Sequence, residues 1–324
     1  MEPLSAQGAA VVPTQTSVDG RLSFSAGLTA NLGILAELSI GEPVSRQDFP
    51  QSLPTPPTIR ALQYVARMHG GSQPQLMKCS DGHYYVVKFG NNPQGNAILA
   101  NELLAHQLAT FLGLPIPPCA VVQVNADLIA LSEEMVIETK RTRVPCRPGL
   151  AFGSRCRLDA RSPSHVRQIS AIENRNDFLG MLVFDKWTCN ADGRQVLFVG
   201  KSHPFRVEMI DNGFCFNGEH WNFPDSPVRG LYIDQTVYDW CRGINSFDPW
   251  LTRIEEEFDS TILERFASHI PSDWYAADNE HLAFLLHRLD RRRCRVRELL
   301  AETMRYAEAG VPRRSLRRAE AACL

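Results

Sequence analysis

The sequence predicts an α+β chain: a small antiparallel β-sheet lobe with one helix, followed by a larger, mainly helical lobe. Three observations predict it. Between Arg60 and Phe89, short apolar or alternating runs are punctuated by Gly70-Gly71 and Asp81-Gly82, the pattern of strands joined by turns. Between Asn96 and Leu112, Leu99, Leu103, Leu104, Leu108, Phe111 and Leu112 recur at helical spacing, and Gly113 stops them. Beyond Asp239 nearly the whole chain reads helical, including 251–266 and 281–306.

In chain order, residues 1–57 form an N-terminal extension that is poor in charge. Prolines recur there at Pro3, Pro13, Pro43, Pro50, Pro54 and Pro56, and 50–57 reads as a polyproline-like connection. The pattern of 22–40 leaves strand and helix open. The small lobe occupies 58–130: strands over 60–68, 75–79 and 84–89, the helix over 96–112, then a strand within 114–124 opened by Pro115, Pro117 and Pro118. The larger lobe takes 131–310. It begins with a helix over 172–187, then two short strands, 196–199 and 206–210, around a turn at 201–204. A basic C-terminal tail, 311–324, ends the chain.

At 44% apolar and 22% charged, the 324 residues have the composition of a globular protein with a sizeable core, neither disordered nor fibrous. The longest apolar runs stop far short of the roughly 20 residues that span a bilayer. No basic residue precedes an apolar stretch at the N-terminus, which argues against a secretory signal. The nine cysteines are scattered and include no CxxC pair, so a cytoplasmic chain with inert thiols is expected, without a zinc site or disulfide framework. From Phe284 onward there are eleven arginines and five acids, which leaves the rest of the chain net acidic. That basic segment reads either as a solvated helix or as a surface for an acidic partner. Nucleic acid is not expected, because no recognition motif or interleaved aromatic accompanies the arginines.

Five features carry chemistry when taken in order: a small-residue turn, a strand lysine, a helix glutamate and two aspartates. Gly70-Gly71-Ser72-Gln73 is a small-residue turn between strands, where backbone N–H groups can approach a phosphate; alone, it is an ordinary turn. Lys88 lies in the interior of an apolar strand, Tyr85-Val86-Val87-Lys88-Phe89, either facing solvent on an edge or buried against a partner, and Glu102 on the following helix can be that partner. Asp192 leaves a polar turn that enters one strand, and Asp211-Asn212-Gly213 follows the next. A carboxylate at the end of each of two paired strands meets the needs of phosphoryl transfer: one orients the attacking hydroxyl, the other holds Mg²⁺ on the phosphates.

These segments resemble the HipA-like kinase family over about residues 58–275. The small-lobe resemblance lies in Gly70-Gly71-Ser72-Gln73-Pro74-Gln75-Leu76-Met77, Tyr85-Val86-Val87-Lys88-Phe89 and Asn101-Glu102. The catalytic and metal-binding resemblance lies in Asp185-Lys186-Trp187, Asn190-Ala191-Asp192 and Ile210-Asp211-Asn212-Gly213. The resemblance implies a two-lobed kinase-like fold and an ATP- and Mg²⁺-dependent kinase acting on serine or threonine of a protein. Gly71, Ser72 and Gln73 would then cover the nucleotide phosphates, and Lys88 would contact them, steadied by Glu102. Asp192 would be the catalytic acid/base residue and Asp211 a Mg²⁺ ligand. Better-known members of the family are toxins paired with an antitoxin, so an antitoxin-like partner is implied as well.

The sequence departs from the family at one ligand. The family commonly places an asparagine a few residues past the catalytic aspartate as a second metal ligand. Here the segment is shortened to Asp192-Gly193-Arg194-Gln195, and Gln195 is the nearest candidate. Either Gln195 supplies that oxygen, or the shortened segment points it away and the protein is a nucleotide-binding scaffold with little transfer activity. Other chemistries find no support. Gly200-Lys201-Ser202 lacks the earlier glycine of a phosphate-binding loop, and no GxGxxG, GxSxG or HExxH occurs.

Overall fold

The first strands wind into a barrel. In the computed structural model, β1 (Thr58–Arg67), β2 (Gln75–Cys79) and β3 (Tyr84–Lys88) form an antiparallel meander. The structure describes Pro50 and residues 53–161, 172–202 and 204–308, all within the unit Gly41–Leu324. The expected extension before Pro50, the 22–40 segment and the basic tail from 311 lie outside the described residues. The Asp81-Gly82 turn closes as its composition demands: Gly82 takes φ +83°, and the Asp81 carboxylate accepts from the His83 N–H at 3.1 Å.

α1 (Ala97–Phe111) follows β3, then β4 (Cys119–Val124), α2 (Ala126–Ala130) and a hairpin of β5 (Val136–Glu138) and β6 (Arg143–Pro145). β7 (Gly149–Arg155) closes the barrel by pairing with both β3 and β4. Two expectations change here. The sheet is mixed, because β1 and β4 pair in parallel, and it does not end at 130, because β7 completes it. β7 escapes a pattern reading because Gly149 opens it and Gly153 interrupts its short apolar run. Gly153 is required there: a Cβ would stand 2.6 Å from Val122 Cγ2.

β8 (Ala160–Arg161) leads to α3 (Asp177–Thr188), which starts later than the apolar pattern suggests, since Ile172 instead makes a bridge to Phe205. β9 (Gln195–Val199) and β10 (Arg206–Ile210) pair antiparallel, with β8 on the outer side of β9. After β10 comes a 3-10 segment, Cys215–His220, and then the C-terminal helices. Each long helix expected there is divided in two. The first becomes α4 (Asp248–Thr252), a π turn over Arg253–Glu257, and α5 (Ser260–Ser268), because Asp259 caps α5 by accepting from the Ile262 N–H at 2.9 Å. The second becomes α6 (Asn279–Arg293) and α7 (Val296–Glu308), separated by a turn at Cys294-Arg295.

Two cores result. One fills the barrel with Met77, Tyr85, Val87, Ala120 and Val122; the other packs α1 against α3 and the C-terminal helices. The leucines expected on one face of α1 are buried, and they belong to the second core. In the described part of the basic segment, arginines meet acids of the same chain. Arg292 is buried against Asp225, and Arg293, Arg295 and Arg297 pair with Asp290, Asp225 and Asp248. The described cysteines are free, Cys323 lying outside that set, and among the described residues no helix is long and apolar enough to cross a membrane.

Candidate active site

Lys88 closes β3 with 8% of its surface exposed. β3 is an interior strand between β2 and β7, which excludes the solvent-facing alternative. The Lys88 ammonium is ion-paired with Glu102 of α1 and with Asp211 Oδ1, the latter at 2.6 Å. Burial opposes its charge, yet the two carboxylates outweigh that penalty and hold its pKa above the ordinary lysine value. For Asp211 burial also disfavours the charge, but the Lys88 ammonium prevails and keeps the carboxyl below the usual range.

Asp211 follows β10 directly, with a left-handed backbone at φ +57°. The β9–β10 register pairs Ile210 with Gln195, so the residue opening β9 stands beside the one that leaves β10. Gln195 Nε2 donates to Asp192 Oδ2 at 3.1 Å and to Asp211 Oδ2 at 3.2 Å. The shortened segment therefore does not point Gln195 away. Asp192 is held locally: its N–H donates to Asn190 Oδ1 at 3.1 Å, and its Oδ1 accepts from the Gly193 N–H at 2.8 Å.

Lys88 sets one formal positive charge against the carboxylates of Glu102, Asp211 and Asp192, which leaves two negative charges in surplus. Two carboxylate oxygens converging on one amide, in a site with that surplus, fit a divalent cation once the Gln195 amide turns its oxygen inward. Among the described residues no group of three or more His, Cys, Asp or Glu side chains is arranged to hold a metal. A cation here needs further oxygens, such as those of phosphates.

The 70–73 turn is tied down at both ends. Met68 N–H donates to Pro74 O at 2.8 Å and Gln73 N–H to Gly70 O at 3.0 Å, and Ser72 is buried. The Gln94 side chain fills the space beside Gly71, where a Cβ would meet it at 2.6 Å. The Gln73 side chain is not free to reach a ligand. Its amide pairs with the backbone N–H and C=O of Glu138 in β5, and its oxygen also accepts from Arg67 at 2.6 Å. The Gln73 backbone is engaged as well, its N–H with Gly70 O and its carbonyl with Gln75 Nε2 at 3.1 Å.

A model of the HipA-like kinase family matches residues 63–303. The chain belongs to the HipA-like kinase family. Among solved structures it is similar to the Helicobacter pylori proinflammatory kinase CtkA, at 14% identity and a TM-score of 0.47, over 79% of this chain and 100% of that one. It is also similar to hydra Fam20 with sugar (11%, TM-score 0.44, 76% and 86%) and to the Golgi casein kinase (12%, 0.39, 77% and 73%). Comparison with curated proteins finds no match. The assignment rests on the family match.

In this HipA-like kinase the two aspartates are braced from beneath by Asp185 and Asn190, which the sequence resemblance already places in the catalytic segment, and by Arg194, to which the sequence assigns no role. Asp185 in α3 is fully buried and ion-paired with Arg194, whose Nε donates to its Oδ2 at 2.9 Å. Asn190 donates to Asp185 Oδ1 at 2.9 Å, and Arg194 Nη1 reaches Ile210 O at 3.1 Å and Asn212 Oδ1 at 2.9 Å. One guanidinium thus joins the helix before Asp192 to the backbone around Asp211. An acid inside the apolar run of α3 was the available signal, since a buried carboxylate needs a partner. Lys186, in the same run, turns elsewhere and donates to the carbonyls of Ser226, Pro227 and Arg229 at 2.8–3.1 Å.

Proposed function

We propose that this kinase transfers the γ-phosphoryl group of ATP, with Mg²⁺, to a serine or threonine hydroxyl of a protein. The observation that carries the reading is the convergence of Lys88, Asp211, Gln195 and Asp192 in one hydrogen-bonded cluster. In this reading the barrel and the mainly helical remainder act as two lobes with the nucleotide between them. Lys88 and the backbone of the 70–73 turn bind its phosphates. Asp211 and Gln195 hold Mg²⁺, which supplies charge neutralisation at the phosphate oxygens. Asp192 orients the acceptor hydroxyl and takes its proton as the new O–P bond forms and the bond to ADP breaks. The protein acceptor and an antitoxin-like partner rest on the family resemblance, and the free, largely buried thiols support action in the cytoplasm.

The test is incubation with γ-³²P-ATP and MgCl₂, using lysate protein as acceptor, alongside thermal shift with ATP. Label transferred by the wild type and lost in Asp192→Asn is the expected result. Stabilisation by ATP that ignores Mg²⁺, with no label transferred by the wild type, would instead assign the nucleotide-binding scaffold.

A further inference from the structure

α1 presents Ile98, Asn101 and Glu102 to the chain that follows β10, a spacing that places all three on one helix face. Glu102 pairs with Lys88 and, through Oε2, accepts from the Asn212 N–H at 3.2 Å. Ile98 lies so close to Gly213 that a Cβ there would meet Cγ2 at 2.6 Å. Asn101 is fully buried, and both of its amide donors are used. Nδ2 donates to Gly213 O at 2.7 Å and Gly218 O at 2.9 Å, while Oδ1 accepts from Trp221 Nε1 at 2.8 Å. Two carbonyl acceptors and one indole donor fix which end of the amide is which.

The stretch that Asn101 grips is under backbone strain. Asp211, Phe216, Asn217 and Trp221 all take positive φ between 46° and 61°. Non-glycine residues hold such conformations only where their surroundings over-determine them. Asn101 bonds within this stretch at three points, beginning two residues after Asp211. We infer that Asn101 is a positioning residue: it keeps the strained 211–221 segment seated on α1 and so holds the Asp211 carboxylate at the cation site. The inference rests on the kinase reading for what Asp211 does, but not for what Asn101 holds.

Two variants test it. Asn101→Asp keeps the acceptor for Trp221 and removes both donors; Trp221→Phe keeps an aromatic ring and removes the indole donor. By hydrogen exchange, each is expected to speed exchange in 212–221 while α3 stays as in the wild type. By thermal shift with ADP, Asn101→Asp is expected to raise the Mn²⁺ concentration for half-maximal stabilisation about tenfold, with ADP affinity in the absence of metal within about threefold. Unchanged exchange in 212–221, or exchange raised equally across the chain, overturns the inference. So does a metal requirement equal to wild type. Should the wild type show no metal-dependent shift at all, the kinase reading fails, and exchange alone then decides the role of Asn101. Should Asn101→Asp not fold, Trp221→Phe decides it by the same exchange criterion.

Discussion

Lys88 stands between two carboxylates that share one ammonium. On the proposed function, replacing it with methionine should weaken ATP binding at least tenfold by calorimetric titration, because the buried cation proposed to meet the phosphates is removed. Asp192→Asn should leave ATP affinity within about twofold, since the proposed function has Asp192 act on the acceptor, and should lower transfer by about 10²–10⁴-fold. Equal loss of ATP affinity in both variants would contradict this division of roles. Gln195 is the residue at which the sequence departed from the family, yet the β9–β10 register still delivers its amide between the aspartates. Gln195→Ala should therefore raise the Mg²⁺ concentration needed for half-maximal transfer while leaving metal-free nucleotide binding unchanged.

At the scale of elements, α3, β9 and β10 are joined by one buried guanidinium. Removing half of such a pair leaves an uncompensated buried charge, so Arg194→Met should destabilise the fold by about 3–5 kcal/mol, read as a lower denaturant midpoint. α1 carries a second testable group. His106 is pushed down to about 4 by burial, although its Nε2 lies 3.0 Å from Pro117 O, whereas in the unfolded chain it titrates near 6.5. Between those values the unfolded state binds the extra proton, so stability that is complete above pH 6.5 is lost as pH falls toward 4. Asp177, pushed up to about 6 by burial, acts in the opposite direction, so only a comparison with a variant isolates His106. His106→Gln should flatten the fall in melting temperature between pH 6.5 and 4; identical slopes would assign the acid sensitivity elsewhere. The 211–221 stretch holds four non-glycine residues at positive φ. Its left-handed non-glycine residues cost about 1–3 kcal/mol each.

Across the whole molecule, α1 ties the barrel to the helical core. Its apolar face is buried with α3, Gln107 donates to Phe266 O at 3.1 Å, and Trp274 Nε1 reaches from beyond α5 to Leu150 O of β7 at 3.1 Å. All five tryptophans lie outside the barrel strands, so tryptophan emission reports the helical part while far-ultraviolet circular dichroism reports both. The two signals should trace one coincident denaturant transition, and separated midpoints would show the barrel unfolding on its own. The sequence by itself determined whatever is written in local periodicity and turn chemistry. That covers the Asp81-Gly82 hairpin, the apolar face of α1, the strands that bear Lys88 and precede Asp211, and the order of chemical residues that marks the family. Only the tertiary structure decided which groups meet across long separations. β7 inserts between β3 and β4 because backbone pairing needs no apolar signature, and its glycines hide it from any pattern. Asp259 splits a helix because a cap outweighs a continuing apolar stripe. Arg194 finds Asp185, and Asn101 finds Gly213, Gly218 and Trp221, because a buried polar group must be satisfied wherever a partner lies, and the identity of that partner is a property of packing rather than of spacing.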